Sequence, residues 1–205
     1  IAVAAYSYMS LIPIIQPPIM RWMTNRRERA IRMPYTERTI SKRTRVMFPL
    51  IVTVVVGTLV PMATPLIGML MLGNLMKESG AVERLTGASS KEIANIVTLF
   101  LGLAVGATMR AEVFLTVSTL KILVLGILAF GLDTAAGLLF AKGLNLASRG
   151  RFNPLLGAAG ISAFPMAARV VQRVAHEADF ENFLLMHAMG PNAAGQVASV
   201  VAGGV

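Results

Sequence analysis

The feature that most constrains this chain is an alternation of apolar runs of helix length with loops that hold most of the charge. Residues 46–76, 93–109 and 120–141 are such runs, and two strongly basic loops flank them. Charged residues make up 14% and hydrophobic residues 55% of the 205 positions. A soluble domain carries about 25% charge, so the solvent for most of this chain is lipid. The useful unit is then a span of roughly 20 residues, and about six to eight passes or half-passes fit. An all-α membrane protein is expected, organised as one membrane domain over 1–205.

The charge gives the spans an orientation. Residues 21–45 carry nine basic side chains against Glu28 and Glu37, a net +7, and residues 142–151 add Lys142, Arg149 and Arg151 with no acid. The positive-inside rule places both loops in the cytoplasm. Apolar runs bracket the first block on both sides, which argues for a juxtamembrane loop rather than a nucleic-acid patch. Three full crossings would put the two loops on opposite sides, so one run must enter and return. Residues 46–76 would be about 46 Å long as a single helix and are interrupted by Pro61, Thr64, Pro65 and Gly68. They are expected to form a re-entrant hairpin, followed by a charge-balanced loop over 77–92. Gly102 and Gly106 have the small-xxx-small spacing of a helix-packing face. Arg110 and Glu112 read as an interface ion pair, and Asp133 is a lone acid within a span.

The chain starts at Ile1 in one apolar run and stops at Val205 in another, so it is expected to be a piece of something longer. Cysteine is absent, which excludes disulfides, thiolate metal sites and a cysteine nucleophile within these residues, and His176 and His187 have no metal-ligand spacing.

Residues 151–174 differ in kind. Asn153, Pro154, Gly157, Gly160, Ser162 and Pro165 interrupt an apolar stretch, as in a discontinuous helix whose freed carbonyls and short oxygen side chains face inward. Such oxygens suit a small hard cation, sodium above all. The alternative for Asn153 and Ser162 is helix capping with small-residue packing. Arg169 follows Ser162 by seven residues, on the same face of a helix that resumes after Pro165, and offers a carboxylate a planar fork. Its rival role is an ion pair with Glu177, Asp179 or an acid in the missing half of the longer chain. Gly190, Pro191 and Asn192 read as a second break, the pair being typical of secondary transporters. Residues 169–181 between them are charged and amphipathic and are expected at an aqueous face. Near the start, Tyr6, Tyr8, Ser10 and Gln16 lie in an apolar run ending at Pro17 and Pro18, and the tyrosines suit either interface anchoring or a hydroxyl facing the site.

The stretches AAYSYMSLIPIIQPPIM, NPLLGAAGISAFPMAARV and NFLLMHAMGPNAAG resemble the membrane-embedded β subunit of the sodium-pumping, biotin-dependent decarboxylases that act on oxaloacetate, methylmalonyl-CoA or glutaconyl-CoA. The resemblance covers all 205 residues and corresponds to the C-terminal half of that subunit. It implies decarboxylation of carboxybiotin coupled to sodium export across a bacterial plasma membrane. It also implies a biotin-bearing carboxyltransferase α subunit, a small membrane γ subunit and a homo-oligomer of β. On the matching positions it points to Arg169 and Tyr8 for the carboxybiotin substrate, Arg169 also being catalytic. For sodium it points to Asn153, Gly157, Ser162 and Asn192, so that 151–205 is the site region. A membrane aspartate that the family places earlier has no counterpart here. A sodium-coupled carboxylate transporter would use the same oxygens and arginine, while a membrane scaffold would gain nothing from unwound helices.

The topology is directly testable. Single cysteines introduced at Thr36 and Ser148 should be labelled from the same, cytoplasmic side by an impermeant maleimide; labelling from opposite sides would remove the re-entrant hairpin.

Overall fold

The computed structural model describes residues 7–34, 39–107, 109 and 116–203, and the described residues contain helix and no strand. The Arg110 and Glu112 pair and Tyr6 lie outside them. The contacts divide the chain into two compact units, one of Ile1–Thr36 with Met109–Val197 and one of Glu37–Thr108 with Ala198–Val205.

In the first unit, helix α1 (Ile12–Met23) leads into a short helical turn, α2 (Arg26–Arg29). The apolar run was expected to stop at Pro17 and Pro18, yet α1 passes through both. Burial of Gln16, Pro17 and Met20 holds the helix where two missing backbone donors would otherwise break it.

In the second unit, α3 (Lys42–Leu59) is capped by Ser41, whose hydroxyl accepts from the Thr44 amide at 3.2 Å. A 3-10 turn at Pro61–Ala63 then reverses the chain into α4 (Thr64–Ser79). The two helices are antiparallel: Arg45 at the start of α3 pairs with Glu78 at the end of α4 at 3.2 Å. At the tip, a Cβ on Gly57 would lie 3.2 Å from the Thr64 hydroxyl. Gly80 closes α4 in a left-handed conformation, φ 68°.

The segment that reads as a returning loop over 77–92 is instead mostly helical. A helix of 25 residues runs over Glu83–Ala107 (α5), through a π-helical turn at Ser89–Ile93. None of its residues is buried, and Gly102 and Gly106 have no described neighbour where a Cβ would point. Helix α6 (Val117–Ala147) has 31 residues. Both α5 and α6 are long and apolar enough to cross a membrane. Leu125, Leu128, Leu132, Leu139 and Phe140 of α6 are exposed, as expected of a surface that faces lipid or further protein.

Against α6 lies the broken segment. After α6 the chain turns at Arg149 and Gly150, both with positive φ, and enters a 3-10 stretch over Pro154–Ala159. An irregular loop leads through Phe164 and Pro165 to α7 (Met166–Ala178), and α8 (Leu185–Gly203) follows. Of the two expected breaks only this one is a break, because α8 runs unbroken through Gly190, Pro191 and Asn192. Pro191 removes one helical hydrogen bond, and burial of Ala188, Asn192 and Gly195 holds the helix across it.

The 3-10 stretch is buried: Leu155, Leu156, Ala158 and Ala159 form the core with Leu138 of α6, Met20 of α1, and Ala168, Val171, Val174 and Ala175 of α7. Glycine makes this burial possible. A Cβ on Gly157 would lie 1.9 Å from the Gly137 carbonyl oxygen, and one on Gly137 would lie 2.2 Å from that of Gly157. Three residues further along the segment, the Gly160 carbonyl oxygen would lie 2.2 Å from a Cβ on Gly195 of α8.

The obstructing atoms at these glycines are backbone, which has no rotamer to yield. Gly137→Ala or Gly157→Ala should therefore destabilise the fold by about 3 kcal/mol or more, the upper end for overpacking. Gly143→Ala, where a Cβ meets nothing within 4 Å, should be neutral or stabilise by up to about 1 kcal/mol. Thermal unfolding of the purified variants in detergent measures the contrast.

Candidate functional site

Two buried carboxamides grip the broken segment, one from α1 and one from α8. From α1, Gln16 donates its amide nitrogen to the Ala158 carbonyl at 2.8 Å and to the Thr134 hydroxyl of α6 at 3.2 Å. From α8, Asn192 donates to the Ile161 carbonyl at 2.9 Å. A carbonyl requires a donor, so these bonds fix the orientation of each amide. Each is then left with its oxygen buried and without a hydrogen-bond partner among the described residues. Both side chains have no exposed surface, and an unsatisfied buried acceptor carries its full desolvation cost. Such oxygens are complementary to a dehydrated cation.

Depth follows from helix geometry. Lys142 of α6 pairs with Glu28 at 3.2 Å, and Thr134 is eight residues before it, about 12 Å deeper at 1.5 Å per residue. His187 of α8 lies 3.1 Å, through Nε2, from the Met33 carbonyl, and Asn192 is about 7 Å further along. The Gln16 and Asn192 amides therefore sit well below the charged end of this unit.

That charged end is tightly tied. Arg21 grips Glu177 through two hydrogen bonds of 2.9 and 2.7 Å. Arg32 does the same to Asp179 at 2.6 and 2.9 Å and also pairs with Glu181 at 2.9 Å. The Glu28 to Lys142 pair brings the two basic loops together at this end. Helix α7 is amphipathic, with Val170, Val171, Val174 and Ala175 buried and Arg169, Arg173 and Glu177 exposed.

The expected site residues fall into two groups. Asn153 caps the 3-10 stretch: its oxygen accepts from the Leu155 amide at 3.0 Å, and its nitrogen donates to the Arg29 and Ile31 carbonyls at 3.1 and 2.8 Å. Gly157 provides the close approach to α6. These two shape the break. Ser162, half-buried, follows the Ile161 carbonyl held by Asn192. Tyr8 packs over Gly126 of α6 and edge-on against Phe130, with ring centroids 5.4 Å apart. Phe130 in turn packs on the cluster of Ile12, Ile161, Ala163 and Ala167, so Tyr8 shares a neighbourhood with the residues flanking Ser162 and preceding Arg169. Arg169 is exposed and makes no ion pair among the described residues. Glu177 and Asp179, its rival partners, are held by Arg21 and Arg32. Asp133 is exposed on α6. Gln16 and Thr134 are the residues that sequence reasoning did not assign to the site. The available signal was a glutamine and a threonine inside apolar helices, each needing a polar partner once buried.

The family model for the Na+-transporting oxaloacetate decarboxylase beta subunit matches residues 1–205. The chain belongs to this family. It is 57% identical over 205 residues to oxaloacetate decarboxylase beta chain 2 of Salmonella typhimurium, covering 100% of this chain and 47% of that one. Identity to the methylmalonyl-CoA decarboxylase beta subunit of Propionigenium modestum is also 57% over 205 residues, covering 100% of this chain and 52% of that subunit. The corresponding subunit of Veillonella parvula is 51% identical over 204 residues, covering 100% of this chain and 54% of that one. The chain thus spans about half the length of the curated relatives it matches. In this member of the beta-subunit family, the matched half contains the broken segment and both carboxamide clamps.

The ion pairs make the charged end acid-sensitive. The hydrogen bonds and charge of Arg21 hold the Glu177 carboxyl below its ordinary range, and Arg32 does the same for Asp179. A lowered native-state value means that the stabilisation is complete above the ordinary carboxylate range and is lost as pH falls through the lowered values. Melting temperature measured against pH should drop on that acid limb, and Glu177→Gln should make the drop shallower while lowering stability at neutral pH.

Proposed function

We propose that this chain is part of a β subunit that decarboxylates carboxybiotin and uses the free energy to export sodium. The observation that carries the reading is the partnerless oxygen of Asn192, buried at depth beside a broken segment. A neutral buried acceptor lowers its energy by meeting a small cation, and this chain's family is named for sodium transport. Sodium is the cargo. Asn192 Oδ1, the Ser162 hydroxyl and carbonyls freed in the break are proposed as ligands. Asn153 and Gly157 act through the shape of the segment that presents them.

Carboxybiotin is the proposed substrate, carried on a biotin-bearing carboxyltransferase α subunit, with a small membrane γ subunit and further copies of β completing the complex. Arg169 would hold the substrate carboxylate through its guanidinium fork, and the Tyr8 ring closes the neighbouring wall. Loss of carbon dioxide leaves negative charge on the ureido nitrogen, which takes up a proton. Glu177 of α7 and Asp179 just after it are already engaged by Arg21 and Arg32, which supports a role for Arg169 other than pairing with either.

The subunit is proposed to lie in the bacterial plasma membrane with both basic loops in the cytoplasm. The α3 and α4 hairpin would return to the side it left, and α5 and α6 would each cross.

In the assembled complex, decarboxylation of free carboxybiotin should fall in the order wild type, Arg169→Lys, Arg169→Gln, while carboxylation of biotin by the α subunit persists. Lysine keeps the charge without the fork. A charge-assisted hydrogen bond made in the transition state is worth about 1.5 to 3 kcal/mol, or roughly 10- to 150-fold in rate. Lower yield of Arg169→Gln with a normal rate per molecule would remove the substrate role.

A further inference from the structure

We infer that Gln16 is a further sodium ligand, presenting its carboxamide oxygen to the ion from α1, beside the same broken segment that Asn192 holds from α8. The inference rests on the sodium reading of the Asn192 site and extends it to a residue that neither spacing nor resemblance assigns.

Gln16 is fully buried, and both ends of its amide are accounted for differently. The nitrogen has its two acceptors, Ala158 O and Thr134 Oγ1. With both protons committed, the amide cannot flip without setting its oxygen against the Ala158 carbonyl. The oxygen has no partner among the described residues. Asn192 repeats the pattern three residues along the same segment, donating to Ile161 and keeping a buried oxygen free. Two other carboxamides, those of half-buried Asn145 and buried Asn182, also hold a buried oxygen with no hydrogen-bond partner among the described residues. Asn145 is near the end of α6, and Asn182 bonds the Arg29 and Ile31 carbonyls, so both belong to the charged end. Gln16 is not there: it is five residues before Arg21, about 7 Å deeper along α1. A buried glutamine needed only to clamp Ala158 would leave an uncompensated acceptor at that depth. An oxygen ligand to a dehydrated monovalent cation removes the cost and uses the same clamp to couple the ion to the position of the segment.

The test uses the complete decarboxylase complex and sodium chloride, with choline chloride holding ionic strength constant. Two readouts are followed: the rise in melting temperature of the β subunit with sodium, and the sodium concentration giving half-maximal decarboxylation. Gln16→Met keeps the length and removes the oxygen. It should raise the sodium midpoint about tenfold in both readouts, and Asn192→Leu should do likewise. A clamp without ion contact predicts a melting temperature lowered equally with and without sodium, and an unchanged midpoint; that result for Gln16→Met beside a shifted Asn192→Leu overturns the Gln16 inference alone. Unchanged midpoints in both variants overturn the sodium reading of the site as well. Should Gln16→Met fail to assemble, amide exchange of the unaltered complex decides. Sodium should slow exchange in α1 around Gln16 as well as at 157–161, and protection confined to α8 and the broken segment would exclude Gln16.

Discussion

Everything in the first unit depends on backbone approaching backbone at Gly137 and Gly157. A stretch of 3-10 and irregular chain has carbonyls that no regular helix satisfies, and at membrane depth such a stretch survives only inside protein. It can be inside only if α6 and α8 come within contact of its main chain. The Cβ positions of Gly137, Gly157 and Gly195 would each fall within about 2.2 Å of a facing carbonyl oxygen. No other residue type fits there. The small side chains of Ala158, Ala159, Ala168 and Ala175 continue this close packing through the core.

Close packing settles the shape of the break and leaves the question of its polar groups. Three carboxamides answer it, each in a different place. Asn153 caps the start of the segment and ties it to the Arg29 and Ile31 carbonyls. Gln16 and Asn192 take the carbonyls of Ala158 and Ile161. The arrangement is asymmetric in what it leaves over. Asn153 has both ends of its amide engaged, whereas the two deeper amides satisfy main chain and retain a free oxygen. The same side chains therefore hold the segment and present acceptors, so a ligand taken up by those acceptors acts directly on the residues that hold the break in place.

Local signals made part of this legible. An Asn-Pro step with glycines three and six residues after the proline, followed by another proline, cannot continue a helix, and the break at 153–165 follows. The Pro61 and Pro65 pair likewise marks the turn between α3 and α4. Where tertiary contact decides, the same signals misled. Pro17, Pro18 and Pro191 all lie inside continuous helices, held by buried neighbours that no local pattern shows. The balanced charges of residues 77–92 suggested a loop, yet most of that stretch extends α4 or begins α5. Gln16 was visible only as a polar residue in an apolar run, since its bond to Ala158 joins positions 142 residues apart. Arg169 and Ser162 were paired by spacing, while the engagement of Glu177 and Asp179 by Arg21 and Arg32 needed the folded chain.

That engagement bears on how an anion and a cation can share one region. Glu177 of α7 and Asp179 and Glu181 just after it are bound by arginines from the first basic loop, which leaves the Arg169 guanidinium without an internal counter-ion among the described residues. A bare guanidinium near neutral oxygens raises the energy of any cation bound there. Like charges repel more strongly the lower the effective dielectric constant between them. On the proposed reading, an anionic substrate on Arg169 removes that repulsion and so raises cation affinity. When the carboxylate is lost as carbon dioxide and the remaining anion is protonated, the repulsion returns and the cation is held less tightly. On the proposed reading, binding of substrate loads the ion and its chemistry releases it, with no requirement for a direct contact between the two.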